Sequence, residues 1–267
     1  MRITHDFHIH TGLSTCVKNK ELATPEKYLE NAQKYGLTQL GFSDHFWDDA
    51  IPGAISWYQP QNLNHVLQLK DELEDIKGNG VEIYFGCEAE YDPYHHGVAL
   101  TEEHAELFDF VLVPNSHTHK MMPKELYEPY QKHADFMVQA YQEILDSPVS
   151  RYITAMAHPF DAVACPYDYG ILLDLISDDQ FRRLFAQTAE KGIAVEINMD
   201  RISRLAYEQI ERLPELRLFF LAKEQGCKFL FGSDAHSNKA HENYYKAEFV
   251  ADLLGLSERD LHVITHA

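Results

Sequence analysis

Along the 267 residues, short apolar runs alternate with polar clusters and then with stretches of helical spacing. The apolar runs cover residues 3–9, 39–42, 81–86, 108–113, 152–156, 193–197 and 228–231. Several are β-rich and nearly continuous, the pattern of parallel strands covered on both faces. Helices fit between them. Thr24-Pro25 reads as an N-cap followed by proline at the first helical position, and Gly36 closes that helix. Leu63, Val66, Leu69, Leu73 and Ile76 keep helical spacing before Gly78, and Phe136, Ala140, Ile144 and Leu145 repeat it. Phe181, Leu184, Phe185, Thr188 and Ala189 precede Gly192, and Leu216, Phe219, Phe220 and Lys223 precede Gly226. Strand followed by helix about seven times, with no low-complexity linker, predicts an α/β barrel-like fold in a single domain, residues 1–267.

The polar clusters that follow the strands carry the chemistry. They are Asp6-Phe7-His8-Ile9-His10, Ser43-Asp44-His45, Gly86-Cys87-Glu88-Ala89-Glu90, Asn115-Ser116-His117-Thr118-His119, Ala157-His158-Pro159, Glu196-Ile197-Asn198 and Gly232-Ser233-Asp234-Ala235-His236. Residues i and i+2 of a strand share a face, so His8 with His10, and Asp234 with His236, are expected to project together. Barrel enzymes build their sites at the carboxyl ends of strands, and each proposed strand delivers a candidate ligand there. Imidazole with carboxylate suits zinc, manganese or iron. Each piece alone has a bland reading: a stray His-x-His pair, a solvated strand-end glutamate, or Ser and Asp shaping a turn. Their joint occurrence does not, because unpaired buried charge is costly. His65, His104, His133 and His262 fall in helical stretches and are assigned to surface or structural roles.

Composition narrows the function classes. Hydrophobic residues make up 45% and charged residues 24%, ordinary for a globular protein that buries a sizeable core. The net charge of −19 repels phosphate backbones and argues against long nucleic acid as a partner. A small anionic substrate stays compatible with it, since bound cations reverse the local sign. The cysteines at 16, 87, 165 and 227 form no C-x-x-C pair and read as reduced thiols. With no signal-like or membrane-length apolar segment, the expected location is cytoplasmic, with no membrane partner.

In this order, His8-x-His10, Asp44-His45, Glu88, the His117 region, Ala157-His158-Pro159 and Asp234-x-His236 resemble the PHP family (polymerase and histidinol phosphatase) over nearly the whole chain. Glu196-Ile197-Asn198 is similar to an element of its stand-alone histidinol-phosphatase branch. The resemblance implies a distorted TIM-like (β/α)7 barrel with two or three divalent ions at its mouth. It implies that His8, His10, Glu88 and Asp234 hold a first metal. Glu88 would bridge to a second held by His117 and His158, and His45 and His236 would hold a third. Cys16 stands where the family often places another third-metal ligand, which leaves that site thiolate-ligated, weak or empty. His117 is preferred to His119 as ligand by its distance from the strand. The implied activity is hydrolysis of a small phosphate monoester, foremost histidinol phosphate. His119 and Asp44 are the candidate catalytic groups and Arg201 and Arg204 the candidate phosphate clamp, with Lys120 as a weaker one. Nucleotide, phosphotyrosine and cyclic phosphodiester substrates are the alternatives. An amidohydrolase and an idle metal-binding module stand further off. The loops at 47–61, 91–97 and 119–130 carry no decisive substrate signature, although Trp57 and Tyr58 are candidates to line a pocket.

Overall fold

The computed structural model describes residues 1–76, 78–161 and 169–266. Seven parallel strands follow one another in chain order: β1 (His5–Ile9), β2 (Gln39–Phe42), β3 (Glu82–Ala89), β4 (Phe110–Pro114), β5 (Ala155–Ala157), β6 (Ala194–Asn198) and β7 (Phe229–Gly232). The barrel nearly closes through the residues just past β7. The Ala235 N–H donates to the His8 carbonyl at 3.2 Å, and the His10 N–H donates to the Ala235 carbonyl at 2.9 Å. Six longer helices cover the outside: α1 (Pro25–Tyr35), α2 (Leu63–Glu74), α3 (Tyr130–Asp146), α4 (Asp178–Glu190), α5 (Glu215–Glu224) and α6 (Lys246–Leu253). The single-domain distorted (β/α)7 barrel expected from the sequence is the fold observed.

Local signals explain several helix ends. Gly36 ends α1 in the left-handed region at φ 76°, its N–H donating to the Ala32 carbonyl. Ser177 and Gln180 form a reciprocal capping box at the start of α4. The fifth apolar run is only partly strand: residues 148–152 form a 3-10 turn, and pairing starts at Ala155. The third is longer than expected and carries Glu88 within the strand. His262 lies beyond the helices, its N–H donating to the Phe229 carbonyl. Cys16, Cys87 and Cys227 are free thiols, and Cys165 lies outside the described residues. Among the described residues, no helix is long and apolar enough to cross a membrane.

The alternation of the strands places the site. Inside the barrel, Phe7, Tyr84, Phe110, Leu112, Ala155, Ala157, Ala194 and Leu230 form a dry cluster. Phe7 meets Tyr84 and Phe110 edge to face at 5.3 and 5.6 Å between ring centres. Counting on by two from interior Tyr84 gives Gly86 and then Glu88; from Ala194, Glu196; from Leu230, Gly232 and then Asp234. The polar residues are thus the top interior layer above an apolar floor. In β1 simple alternation would send His8 outward if Phe7 points inward. The register to β2 shifts between Asp6 and Ile9, and this irregularity re-aims the chain so that Phe7, His8 and His10 all reach the interior.

The floor depends on small residues opposite large ones. A Cβ on Gly41 would lie 2.5 Å from the Phe7 ring and 2.6 Å from the Phe110 ring, both fully packed. Gly41→Ala is therefore expected to destabilise the fold by about 1–3 kcal/mol through overpacking. The denaturant midpoint measures it, and an unchanged midpoint would mean that the floor is looser than described.

Candidate metal centre

Eight side chains from five of the seven strand ends and from the closing segment past β7 meet at the carboxyl-terminal mouth. His8, His10 and Glu88 are almost fully buried, and His45, His117 and His158 nearly so. Glu88 is the centre. Its Oε1 lies 2.9 Å from His158 Nε2 and 3.6 Å from His117 Nε2. Its Oε2 lies 3.5 Å from both His8 Nε2 and His10 Nε2, and 2.9 Å from His45 Nδ1. Its two oxygens therefore face two different sets of imidazoles. Asp234 adds an oxygen 3.2 Å from His10 Nε2 and 3.7 Å from His8 Nε2.

The imidazoles are fixed from behind. His8 Nδ1 donates to Glu196 Oε1 at 2.7 Å, and the other Glu196 oxygen accepts the His158 backbone N–H at 2.6 Å. His117 Nδ1 donates to Glu90 Oε2 at 2.8 Å. The Ser116 hydroxyl and His158 Nδ1 share a hydrogen bond of 2.6 Å. These partners leave Nε2 of each ring facing Glu88, the arrangement found where carboxylates orient metal-binding histidines. Gly232 makes room for it, since a Cβ there would collide with the Glu196 carboxylate and His8 Cβ. Asp6 ties the two ends of the barrel, accepting from the Ser233 N–H at 2.8 Å and from His241 Nε2 at 2.8 Å.

Backbone strain is concentrated here. Asp234 and His158 adopt φ of 51° and 26°, which costs such residues on the order of 1–3 kcal/mol each. The hydrogen bonds to Glu196 and across the closing segment hold these conformations. The same turn changes the expected relation between Asp234 and His236. They are not adjacent members of one strand face, because β7 ends at Gly232 and the chain turns at Asp234. Asp234 points inward, while the His236 side chain is 42% exposed at the rim, 3.7 Å from Asp234.

Burial opposes charge on Glu88, yet the facing His45, His117 and His8 and the hydrogen bond with His158 hold its carboxyl well below the usual range. Burial likewise opposes charging of His117, but Glu90 and Glu88 outweigh it and lift its pKa to about 9. For His10, burial and the repulsion of His45 win, and its pKa falls to about 3. The donor set fits divalent cations. His8 Nε2, His10 Nε2, His45 Nδ1 and Glu88 Oε2 are buried and form no hydrogen bond, although they lie within a few ångströms of one another. Such orphaned polar atoms are expensive unless something between them is bound. Among the described residues, four groups bring their donor atoms within 4.8 Å: His8–His10–Glu88, His8–His158–Asp234, His45–Glu88–His117 and His10–Cys16–His236.

The other expected residues are placed less uniformly. Asp44 is fully buried behind His10 rather than facing the pocket. It accepts from the Thr11 N–H and hydroxyl at 2.6 Å each and lies 3.3 Å from His65 Nε2. His119 is on the pocket rim, its ring 6.0 Å from that of His117. The pocket above Glu88, about 130 Å³, is lined by Trp57, Tyr58, His119 and Lys120 with the central residues. Lys120 Nζ sits 4.3 Å over the Trp57 ring. Arg201 is paired with Glu215 and Arg204 with Asp200, outside that pocket. Arg204 lines a neighbouring cleft of about 320 Å³ that shares His236 with it. The orienting roles of Glu196, Glu90, Ser116 and Asp6 are absent from the ligand pattern read along the chain. Their signal was an acidic or polar side chain at an interior strand position, where burial demands a partner.

Fold and site together define an α/β-barrel protein with a buried histidine–carboxylate cluster at its strand ends. The sequence profile of the PHP domain matches residues 6–265, and the chain belongs to that family. A protein of Acetivibrio thermocellus described as a probable phosphatase is 26% identical over 237 residues, 88% of this chain and 80% of that one. In structure, the chain is similar to a histidinol phosphate phosphatase of Lactococcus lactis solved with zinc, L-histidinol and phosphate. The TM-score is 0.64 at 20% identity, with 98% of this chain and 97% of that one covered. The likeness in structure shows a shared fold.

If Glu196 orients two ligands at once, Glu196→Gln should weaken binding of zinc or manganese by about 10–100-fold, since an amide cannot accept both bonds. Calorimetric titration of the folded variant reads this. Unchanged affinity would refute the orienting role.

Proposed function

We propose that the protein hydrolyses small phosphate monoesters with two or three divalent cations (zinc, manganese or iron), and that histidinol phosphate is its foremost substrate. The observation that carries this reading is the convergence of unpartnered imidazole nitrogens and carboxylate oxygens around Glu88, under an open pocket. The histidinol and phosphate bound by the similar Lactococcus lactis enzyme support the choice of substrate.

In this reading His8, His10, Glu88 and Asp234 hold one cation, Glu88 with His117 and His158 a second, and His45 with His236 a third. When bound, the cations would supply an activated water and neutralise charge on the nonbridging oxygens. The chain does the rest. With the cations bound, Glu196 and Glu90 would fix the tautomers of His8 and His117, so that lone pairs rather than N–H groups would face the centre. Asp44 acts through Thr11 and the loop behind His10, as a positioning residue rather than one that touches substrate. In this reading His119, on the rim beside His117, is the candidate group to protonate the leaving alkoxide. Lys120 lines the pocket and takes the phosphate, and Arg204 in the adjoining cleft meets the far end of the substrate. Arg201 is tied to Glu215 and is not among the residues that line that cleft.

Chelated protein should lose turnover of p-nitrophenyl phosphate and histidinol phosphate and regain it with added zinc or manganese. Asp234→Asn should lower kcat/KM by more than about a hundredfold while the fold persists. A panel of phosphorylated metabolites, nucleotides, phosphotyrosine and cyclic diesters assayed on the same sample selects the substrate. Full turnover after chelation would sink the metal-dependent reading, and a stronger response to another phosphoester would replace histidinol phosphate.

A further inference from the structure

Tyr58 lies on the loop 47–61, between β2 and α2, and is buried. Its neighbour Trp57 lines the pocket over Glu88, with its ring 5.0 Å from that of His45 and the Lys120 ammonium 4.3 Å above it. The Tyr58 ring packs against Trp47 and Trp57, 5.7 and 4.7 Å away between centres, and its hydroxyl donates to Glu90 Oε2. The same oxygen accepts from His117 Nδ1 at 2.8 Å, and Glu90 Oε1 accepts the Tyr91 N–H at 3.2 Å. Glu90 is itself buried, so its carboxylate rests on these donors. The loop is anchored at its ends as well. The Trp47 N–H donates to the Gln61 carbonyl at 2.9 Å, and the buried Gln61 side chain accepts from the Ser14 hydroxyl and the Thr15 N–H at 3.0 Å each. Two hydrogen bonds in series thus run from the pocket wall to an imidazole whose Nε2 lies 3.6 Å from Glu88.

We propose that Tyr58 is a positioning residue that couples the Trp57 loop to the cation site of His117: its hydroxyl holds Glu90, and Glu90 holds His117. This rests on the metal-dependent reading of the site. Coupling of this kind is reciprocal. A cation that gains from a fixed His117 must favour the state in which Tyr58 is bonded to Glu90 and the loop is seated. Trp57 is then held more firmly over the pocket when the site is filled than when it is empty. The wall that meets substrate is best ordered in the cation-loaded form, and Tyr58 achieves this through Glu90 rather than by touching a reacting atom.

Zinc titration of the full chain reads both ends of the coupling. Calorimetry gives the affinity. Acrylamide quenching of fluorescence reports Trp57, because the chain's other tryptophan, Trp47, is buried and Trp57 is partly exposed. Zinc should lower the quenching of Trp57 in the unaltered protein. Tyr58→Phe, which keeps the ring, should weaken one zinc site by about tenfold and abolish that zinc-dependent protection. Glu90→Ala should cause both losses too. The double variant should bind no more weakly than Glu90→Ala alone, since the hydroxyl acts only through that carboxylate. A hydroxyl that serves stability alone would lower the denaturation midpoint of Tyr58→Phe and leave zinc affinity and protection as they are, which overturns the proposal. So do additive losses in the double variant, or either loss in Tyr58→Phe without the other. If the variants fail to fold, the unaltered protein still decides: quenching of Trp57 indifferent to saturating zinc overturns the coupling and leaves the phosphoesterase reading intact. Absence of zinc binding would overturn both.

Discussion

Glu88 is a carboxylate taken almost completely out of water, and much of the barrel mouth is arranged around that cost. An ionised carboxylate in such surroundings is strongly penalised unless paired. Five histidines from four strand ends supply the compensation, and His8, His117 and His158 are in turn held by a further group. Burial first, and then the repulsion of His45, holds the pKa of His10 low. Imidazoles and carboxylates packed this closely are mutually consistent when cations sit among them. The cluster is therefore both a binding site and a demand placed on the fold.

The barrel meets that demand in layers. The aromatic floor of Phe7, Tyr84 and Phe110 keeps water from the underside, and Gly41 and Gly86 give those rings their space. Above it, one or two interior steps along β3, β6 and β7 bring in the carboxylates of Glu88, Glu196 and Asp234. The register irregularity in β1 and the turn at Asp234 break the regular alternation where extra side chains must be aimed inward. Stability is given up at these points to place donors, and neighbouring hydrogen bonds to Glu196 and Asp6 hold the result.

Substrate selection belongs to a different part of the molecule. The side chains that rim the pocket come from outside the strands, Trp57 and Tyr58 from the loop before α2 and His119 and Lys120 from the short helix Thr118–Met121 after β4. Loops tolerate change better than strands, so one metal-binding barrel can serve several phosphoesters. Both candidate arginines are engaged with carboxylates, and this shifts attention to Lys120 and to the cleft that shares His236.

The sequence by itself determined the number and order of the strands and the ring of candidate ligands. Apolar runs, glycine stops and His or acid at each strand end are local signals, and the strand period of two carries them to the barrel mouth. It also marked Cys16 as out of pattern. What it left open depended on contacts between distant segments. Glu196 reaches His8 across 188 positions and Asp6 reaches Ser233 across 227. No local period records such pairs, because they arise only when the barrel closes. The same holds for Asp44, which reads as a strand-end acid but is turned behind His10, and for His236, which the turn at Asp234 carries to the rim. Periodicity tells which face of a strand a residue occupies. Whether that face meets metal, substrate or another side chain is decided by what the opposite strands and loops bring to it.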